Sequence, residues 1–293
     1  MSHPRSGYIF AFIGTTVFSF TLPMVKLALV SFGPWTITLG RMAIAGLTAL
    51  TLVLGTKTPL PERQHWKRIF LTALGISFGF PILTTIALQR TTSAHGAVII
   101  AGLPLATATL AVVRHKERVT PMFWFGAILG SFVLAIYAWQ HGGSEGVDPL
   151  ADLMLLGAVF ASAFGYSEGA ALTKVMPNWQ VVTWCVIMFL PISTVGAITA
   201  HLLGDTGKPI VGTAVFGFLF TSFGSMYLGF FAWYRGLADL GVARGSQVQL
   251  IQPMLTLLWS SLILGEVITS GTLLAALAVL SCVVLTQKAR QLY

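Results

Sequence analysis

Long apolar runs separated by short polar connections make up nearly the whole chain. Ten of these runs, near residues 7–29, 35–54, 67–88, 94–113, 121–139, 150–172, 179–201, 211–235, 244–264 and 268–287, are each predicted to be a helix that spans a membrane. A hydrocarbon core of roughly 30 Å requires about twenty helical residues, and each run is of that order. The longest connections lie around Gly55–His65, Gly142–Pro149 and Gly204–Pro209, too short for a soluble domain. The opening MSHPRSGYIF runs straight into the first apolar stretch. A cleavable signal has a shorter apolar core and a small-residue cleavage site, so this stretch reads as the first membrane helix. The fold class is an all-α integral membrane protein.

Polar positions inside the runs carry more information. In Ala243–Glu266, Gln249, Gln252, Thr256 and Trp259 recur at spacings of three, four and three, which places them on one helical face beside Pro253. Two glutamines facing acyl chains are costly, so this face is expected to point into protein or a wet cavity. Ala94–Glu117 matches that stretch without a gap at an offset of 149, with Ala94 on Ala243, Gly96 on Gly245, Pro104 on Pro253, Thr107 on Thr256 and Glu117 on Glu266. Phe70–Gly75 falls on Leu219–Gly224 at the same offset, and Phe18, Ser19 and Lys26 fall on Tyr166, Ser167 and Lys174 at 148. Ten spans therefore divide into two units, residues 1–145 and 146–293. Because five is odd, the second unit enters the membrane from the opposite side. The expected architecture is 5+5, two inverted five-helix repeats, with a site at mid-membrane between halves that rock.

Composition supports the class. Of 293 residues, 55% are hydrophobic and 9% charged, with a mean hydropathy of +0.83; soluble domains carry about 25% charged residues. The net charge of +8 is a topology signal. With the N-terminus, the even-numbered connections and the C-terminus on one side, thirteen of the 17 basic residues lie there, Arg90 and Lys208 lie opposite, and Lys26 and Arg41 lie within spans. The positive-inside rule then puts both termini in the cytoplasm, across the inner membrane, and argues against nucleic acid as a partner. Cys185 and Cys282 sit in apolar runs and suggest neither a disulfide nor a metal. An intramembrane lipid-modifying enzyme or protease would need paired carboxylates with a metal, a nucleophile with a base, or clustered histidines. The six histidines are scattered and no H-E-x-x-H, G-x-S-x-G or D-D-x-x-D pattern occurs, so no catalytic residue, metal or cofactor is expected.

Near mid-depth stand Phe18, Ser19, Ser77, Phe78, Pro104, Phe160, Phe164, Tyr227, Gln252 and Pro253, aromatic groups with a few neutral hydrogen-bonding ones. That is the chemistry of a small-molecule pocket. Arg41 and Glu168 are deep enough to pair with each other or with backbone carbonyls. Lys26 can snorkel from its helix end. His95 stands at the outer mouth of the fourth span, suited to capping or gating. Glu117 and Glu266 follow their helices directly, where neutralising nearby cations or accepting from backbone amides at a turn explains them. Pro104 and Pro253 are candidate hinges. No carboxylate lies at the centre of a span, which favours neutral or zwitterionic cargo over cations exchanged for protons.

Ten spans in two units, a first helix ending in Lys26, and fourth and ninth helices with central prolines followed by Glu117 and Glu266 resemble two EamA units of the drug/metabolite transporter superfamily. The resemblance covers residues 7–287 and, within the family, is nearest to the YddG-type exporters of aromatic amino acids. It implies a basket of ten helices around a cavity lined by helices 1, 3, 4, 6, 8 and 9. The family often has a tryptophan where Phe18 and Tyr166 stand here, so the substrate could differ. The substrate-contacting set expected is Phe18, Ser19, Ser77, Phe78, His95, Tyr166, Tyr227, Gln249, Gln252 and Trp259. The function implied is export of Phe, Tyr, Trp and analogues by alternating access. Export of other amino acids or of cationic drugs is the alternative. The partners are a small-molecule substrate and the bilayer, and one chain holding both halves can act as a monomer.

Overall fold

Proline and glycine decide which of these helices run straight and which are interrupted. The computed structural model describes residues 4–115, 120–141, 148–205, 208–240 and 248–291. The first run forms α1 (Pro4–Ser19) and α2 (Thr21–Ala28), broken at Phe20, and α3 (Pro34–Thr56) is continuous. In the third, α4 (Trp66–Ala73) and α5 (Phe80–Ala87) flank a π-helical segment, Leu74–Gly79. Pro81 has no N–H to offer the Ser77 carbonyl, so the α ladder cannot pass through this point. The fourth splits into α6 (Ser93–Ile100) and α7 (Leu103–His115), where Pro104 likewise denies the Ile100 carbonyl its usual helical donor. Continuous helices follow: α8 (Pro121–His141), α9 (Pro149–Leu172) and α10 (Asn178–Leu202). A second π segment, Phe220–Leu228, separates α11 (Gly212–Leu219) from α12 (Gly229–Leu240). A 3₁₀ turn at Gln249–Ile251 leads into α13 (Gln252–Leu264), and α14 (Ser270–Gln291) closes the chain. Glu117, Ala243 and Gly245 of the internal match, and the start of the ninth run, lie outside the described residues.

The protein is a multi-pass membrane protein. Among the described residues, six helical stretches are long and apolar enough to cross a membrane: Arg5–Ala28, Pro34–Thr56, Arg63–Ala87, Pro149–Leu172, Asn178–Leu202 and Gly212–Leu240. Shorter apolar helices occupy Ser93–Thr107, Pro121–Val133, Gln249–Leu264 and Ser270–Leu285. Among the described residues there is no strand. Large apolar side chains such as Ile128, Leu262 and Val195 lie exposed on the outer surface. A belt of that kind suits acyl chains and would be a liability in water.

Packing follows a regular scheme. α3 lies along α10, α8 along α14 and α6 along α13, while α1 lies along α12, and α4 and α5 lie along α9. In order of the apolar runs, these pairs are 2 with 7, 5 with 10, 4 with 9, 1 with 8 and 3 with 6. Replacing each run by the one five places along returns the same set. The interruptions recur too: the π segments at 74–79 and 220–228, and the break after Ile100 and the 3₁₀ turn at 249–251, stand close to 149 residues apart. Glycine lets α9 come close to the first π segment. A Cβ on Gly75 would lie 2.8 Å from the Gly165 Cα, so any side chain there would push the two backbones apart.

Candidate functional site

The interruptions converge on one internal space. The wall of this space is built span by span. Phe18, Thr21 and Leu22 come from the α1–α2 break, Ile76 and Phe80 from the first π segment and its exit, and Ile100, Leu103 and Pro104 from the α6–α7 break. Opposite them stand Ser162 and Tyr166 of α9, Ser225, Met226 and Phe230 around the second π segment, and Gln249, Gln252, Pro253 and Thr256 of the 3₁₀ turn and α13. Arg41 reaches in from α3. Non-helical backbone is tolerated at membrane depth where it is buried in protein or lines a cavity, and π segments often mark functional sites.

The wall has an aromatic side and a polar side. Phe18 leans on Phe230 with ring centroids 4.8 Å apart, and Tyr166 meets the Trp233 ring at 5.9 Å. Gln249 Nε2 donates to Gln252 Oε1 over 3.3 Å. The Tyr166 hydroxyl lies close to the Ser162 and Gln249 side chains. Among the described residues no aspartate or glutamate lines the space.

Arg41 is the exception to this neutrality. Its side chain is 2% exposed, and Nε and Nη1 are enclosed without a hydrogen-bond partner. It does not pair with Glu168, one of the two arrangements the sequence left open. Glu168 accepts instead from Arg68 Nε at 3.2 Å, at the helix end where Arg68 is half exposed and can reach it without desolvating fully. The other described acids are engaged as well. Glu62 accepts from Gln64, Asp148 from Arg90, and Asp239 from Arg235. Asp152 faces His95, Asp205 accepts from the Thr36 amide, and Glu266 accepts from the Ser93 and Ala94 amides. A buried, unpaired charge costs several kcal/mol, so this guanidinium is an expensive feature of the cavity.

Several of these contacts join the two halves of the chain at one end of the molecule. Glu266 Oε1 and Oε2 take the Ser93 and Ala94 N–H groups at 2.9 and 2.8 Å, and Ser93 Oγ meets Ser260 Oγ at 2.5 Å. Asp205 takes the Thr36 N–H at 2.7 Å, and Ser31 Oγ donates to the Pro209 carbonyl at 2.8 Å. The first-turn N–H groups of α3 and α6, which have no partner within their own helices, are thus satisfied by carboxylates from the other half. Arg90 and Asp148 pair nearby at 2.6 Å; the hydrogen bond from Arg90, then that from the Leu150 N–H, hold the Asp148 carboxyl below the usual carboxylate range.

Of the residues expected to contact cargo, Phe18, Tyr166, Gln249 and Gln252 stand on the cavity wall together with both candidate hinges, Pro104 and Pro253. The others are placed elsewhere. Trp259 Nε1 donates to Ser19 Oγ at 2.9 Å and stacks on Phe20, while Ser19 Oγ donates to the Thr16 carbonyl. Tyr227 hydroxyl pairs with Thr183 at 2.9 Å, and Phe78 stacks on Phe189. Ser77 is buried, with its hydroxyl unpartnered and off the cavity wall. His95 faces Asp152 at 2.6 Å and stacks on Tyr137. Phe160 is 67% exposed and turned outward. Sequence reasoning missed Ser162, Phe80 and Phe230, whose residue types are common in any membrane helix. It weighed Arg41 only as a partner for Glu168 or for backbone carbonyls, although a lone arginine in an otherwise uncharged span was signal enough to look further.

Comparison with known proteins places the chain in a family. The model of the EamA-like transporter family matches residues 5–139 and again residues 149–287. The uncharacterized transporter YdeK of Bacillus subtilis (strain 168) is 38% identical over 97% of this chain and 97% of its own length. The uncharacterized transporter YyaM of the same organism is 25% identical over 85% of this chain and 83% of its own. One protein of known crystal structure shares the fold with a TM-score of 0.66 at 17% identity, over 98% of this chain and 99% of its own.

Proposed function

The chain belongs to the EamA-like transporter family and is a membrane transporter, not an enzyme; from that premise we propose that it exports aromatic amino acids by alternating access through the cavity. The observation that carries this reading is the wall itself. Phe18, Tyr166 and Phe230 offer faces on which an aromatic side chain can stack, and Gln249, Gln252 and Ser162 offer neutral donors and acceptors for its polar end. Export of cationic drugs is less well supported, because no carboxylate on the described wall balances a cation.

The mechanism draws on the packing scheme. Helix pairs that survive a shift of five spans, with interruptions recurring about 149 residues apart, support two inverted five-helix repeats, residues 1–145 and 146–293. Such halves rock about a site at the membrane midplane. The breaks at Pro104 and Pro253 supply hinges on either side of it. The contacts from Ser31, Thr36, Ser93 and Ala94 to the second half then form a seal at the outer end, which parts when the cavity opens outward. The distribution of basic residues supports cytoplasmic termini in the inner membrane. A single chain supplies both halves of the site and works as a monomer.

Toxic analogues test the direction and the class together. Cells producing the protein should tolerate 4-fluorophenylalanine at higher concentration than cells carrying an empty vector, and should release preloaded tryptophan faster. Unchanged tolerance and unchanged efflux, with the protein present in the membrane, would refute aromatic amino-acid export.

A further inference from the structure

We propose that Arg41 is the anchor for a carboxylate on the cargo, so that a carboxylate, and not an ammonium, is the group this transporter requires. The inference rests on reading the cavity as the cargo site, and it narrows what that site accepts. Arg41 lies seven residues into α3, about 10 Å along the helix axis from its start, well below the end of the span. The residue is on the cavity wall and 2% exposed, with its guanidinium Nε and Nη1 enclosed and unpartnered. Each described acid is satisfied by a partner other than Arg41. The planar fork of donors on a guanidinium matches the two oxygens of a carboxylate. A cargo carboxylate would therefore supply the counter-charge that no described acid supplies.

The remainder of the wall sets what else the ligand carries. Among the described wall residues an ammonium finds only neutral acceptors, the side-chain oxygens of Gln249, Gln252, Ser162 and Tyr166 among them. The amino group is thus tolerated but adds little. An apolar or aromatic body fits between Phe18, Phe80 and Phe230. The class is an aromatic or apolar monocarboxylate, of which the aromatic amino acids are one subset. Arg41 serves as a specificity-determining residue within that class.

Four ligands of one shape test this directly in purified protein: tryptophan, indole-3-propionate, tryptophanamide and tryptamine. The first two carry a carboxylate and the last two do not. In the wild-type protein the two carboxylates should bind at least about 10-fold more tightly than the two amines, the margin expected of a charge-assisted pair in a desolvated site. Arg41→Met should erase that margin while the ligand-free protein unfolds at the same or a higher temperature, since an unpaired buried charge has been removed. Arg41→Lys should retain part of it. Equal binding of all four ligands by the wild-type protein, or binding of neither carboxylate, would overturn the proposal. So would an Arg41→Met protein that melts lower and keeps the preference, which would make Arg41 structural. Binding of indole-3-propionate but not tryptophan would leave the Arg41 anchor standing and refute the amino-acid reading instead. Tight binding of tryptamine alone would overturn both, removing the anchor and the amino-acid reading together.

Discussion

A disulfide between positions 93 and 260 is expected to stop transport completely and reversibly. Ser93 begins α6 and Ser260 lies in α13, both fully buried, with their hydroxyl oxygens 2.5 Å apart. Replacing both by cysteine places the two sulfurs within reach of a bond. The contact sits beside the Glu266 carboxylate that holds the Ser93 and Ala94 amides, so it belongs to the seam between the two halves. If that seam parts once in every cycle, a covalent link across it holds the cavity in one state. The native Cys185 and Cys282 are buried in other helices and do not compete for the bond. Uptake by the oxidised double variant should fall to the level of empty vesicles, and a reductant should restore it. Normal transport by fully crosslinked protein would mean that this seam never opens.

The second large effect is expected at the glutamine pair. Gln252→Leu and Gln249→Leu each remove a neutral hydrogen-bonding group from the wall while keeping similar volume. Each should weaken apparent cargo affinity by about 3- to 10-fold, on the scale of one net hydrogen bond. The losses should not add simply, because Gln249 Nε2 donates to Gln252 Oε1 and Tyr166 leans on Gln249. Removing either glutamine frees the other to turn toward the cargo or leaves it unsatisfied. The double variant should therefore depart from the product of the two single losses, with surface levels unchanged. Initial rates across a range of tryptophan concentrations, at matched protein in the membrane, measure this. Normal rates in both single variants and the double would mean that the pair only packs helix against helix.

What the sequence made legible, and what it hid, follows from the range of the physics involved. Helix length against bilayer thickness is a local matter, and the apolar runs at 35–54 and 179–201 correspond to helices at Pro34–Thr56 and Asn178–Leu202. Proline is local too, since it removes its own N–H, and the interruptions at Pro104 and Pro253 could be foreseen. The π segments could not. Gly75, Gly79 and Gly224 permit a wider turn, but whether the chain takes one depends on neighbours such as Gly165 that lie far away in sequence. Side-chain direction was the other blind spot. Spacing put Trp259 on the face of Gln249, Gln252 and Thr256, yet its indole turns to Ser19 and Phe20. Partner choice was the last. Arg41 and Glu168 looked equally deep, but Arg68, near the end of its helix, reaches the carboxylate first and leaves the guanidinium alone.

Counterflow in proteoliposomes reaches the central claim most directly. Vesicles loaded with unlabelled tryptophan and diluted into a trace of labelled tryptophan should accumulate label transiently above its outside concentration, because an alternating carrier exchanges cargo across one site. With no carboxylate on the described wall to bind a proton, a pH step imposed at fixed membrane potential should change that accumulation only weakly. Label that never rises above equilibrium, or that does so only when the pH step is applied, would contradict an uncoupled carrier of aromatic amino acids working through this cavity.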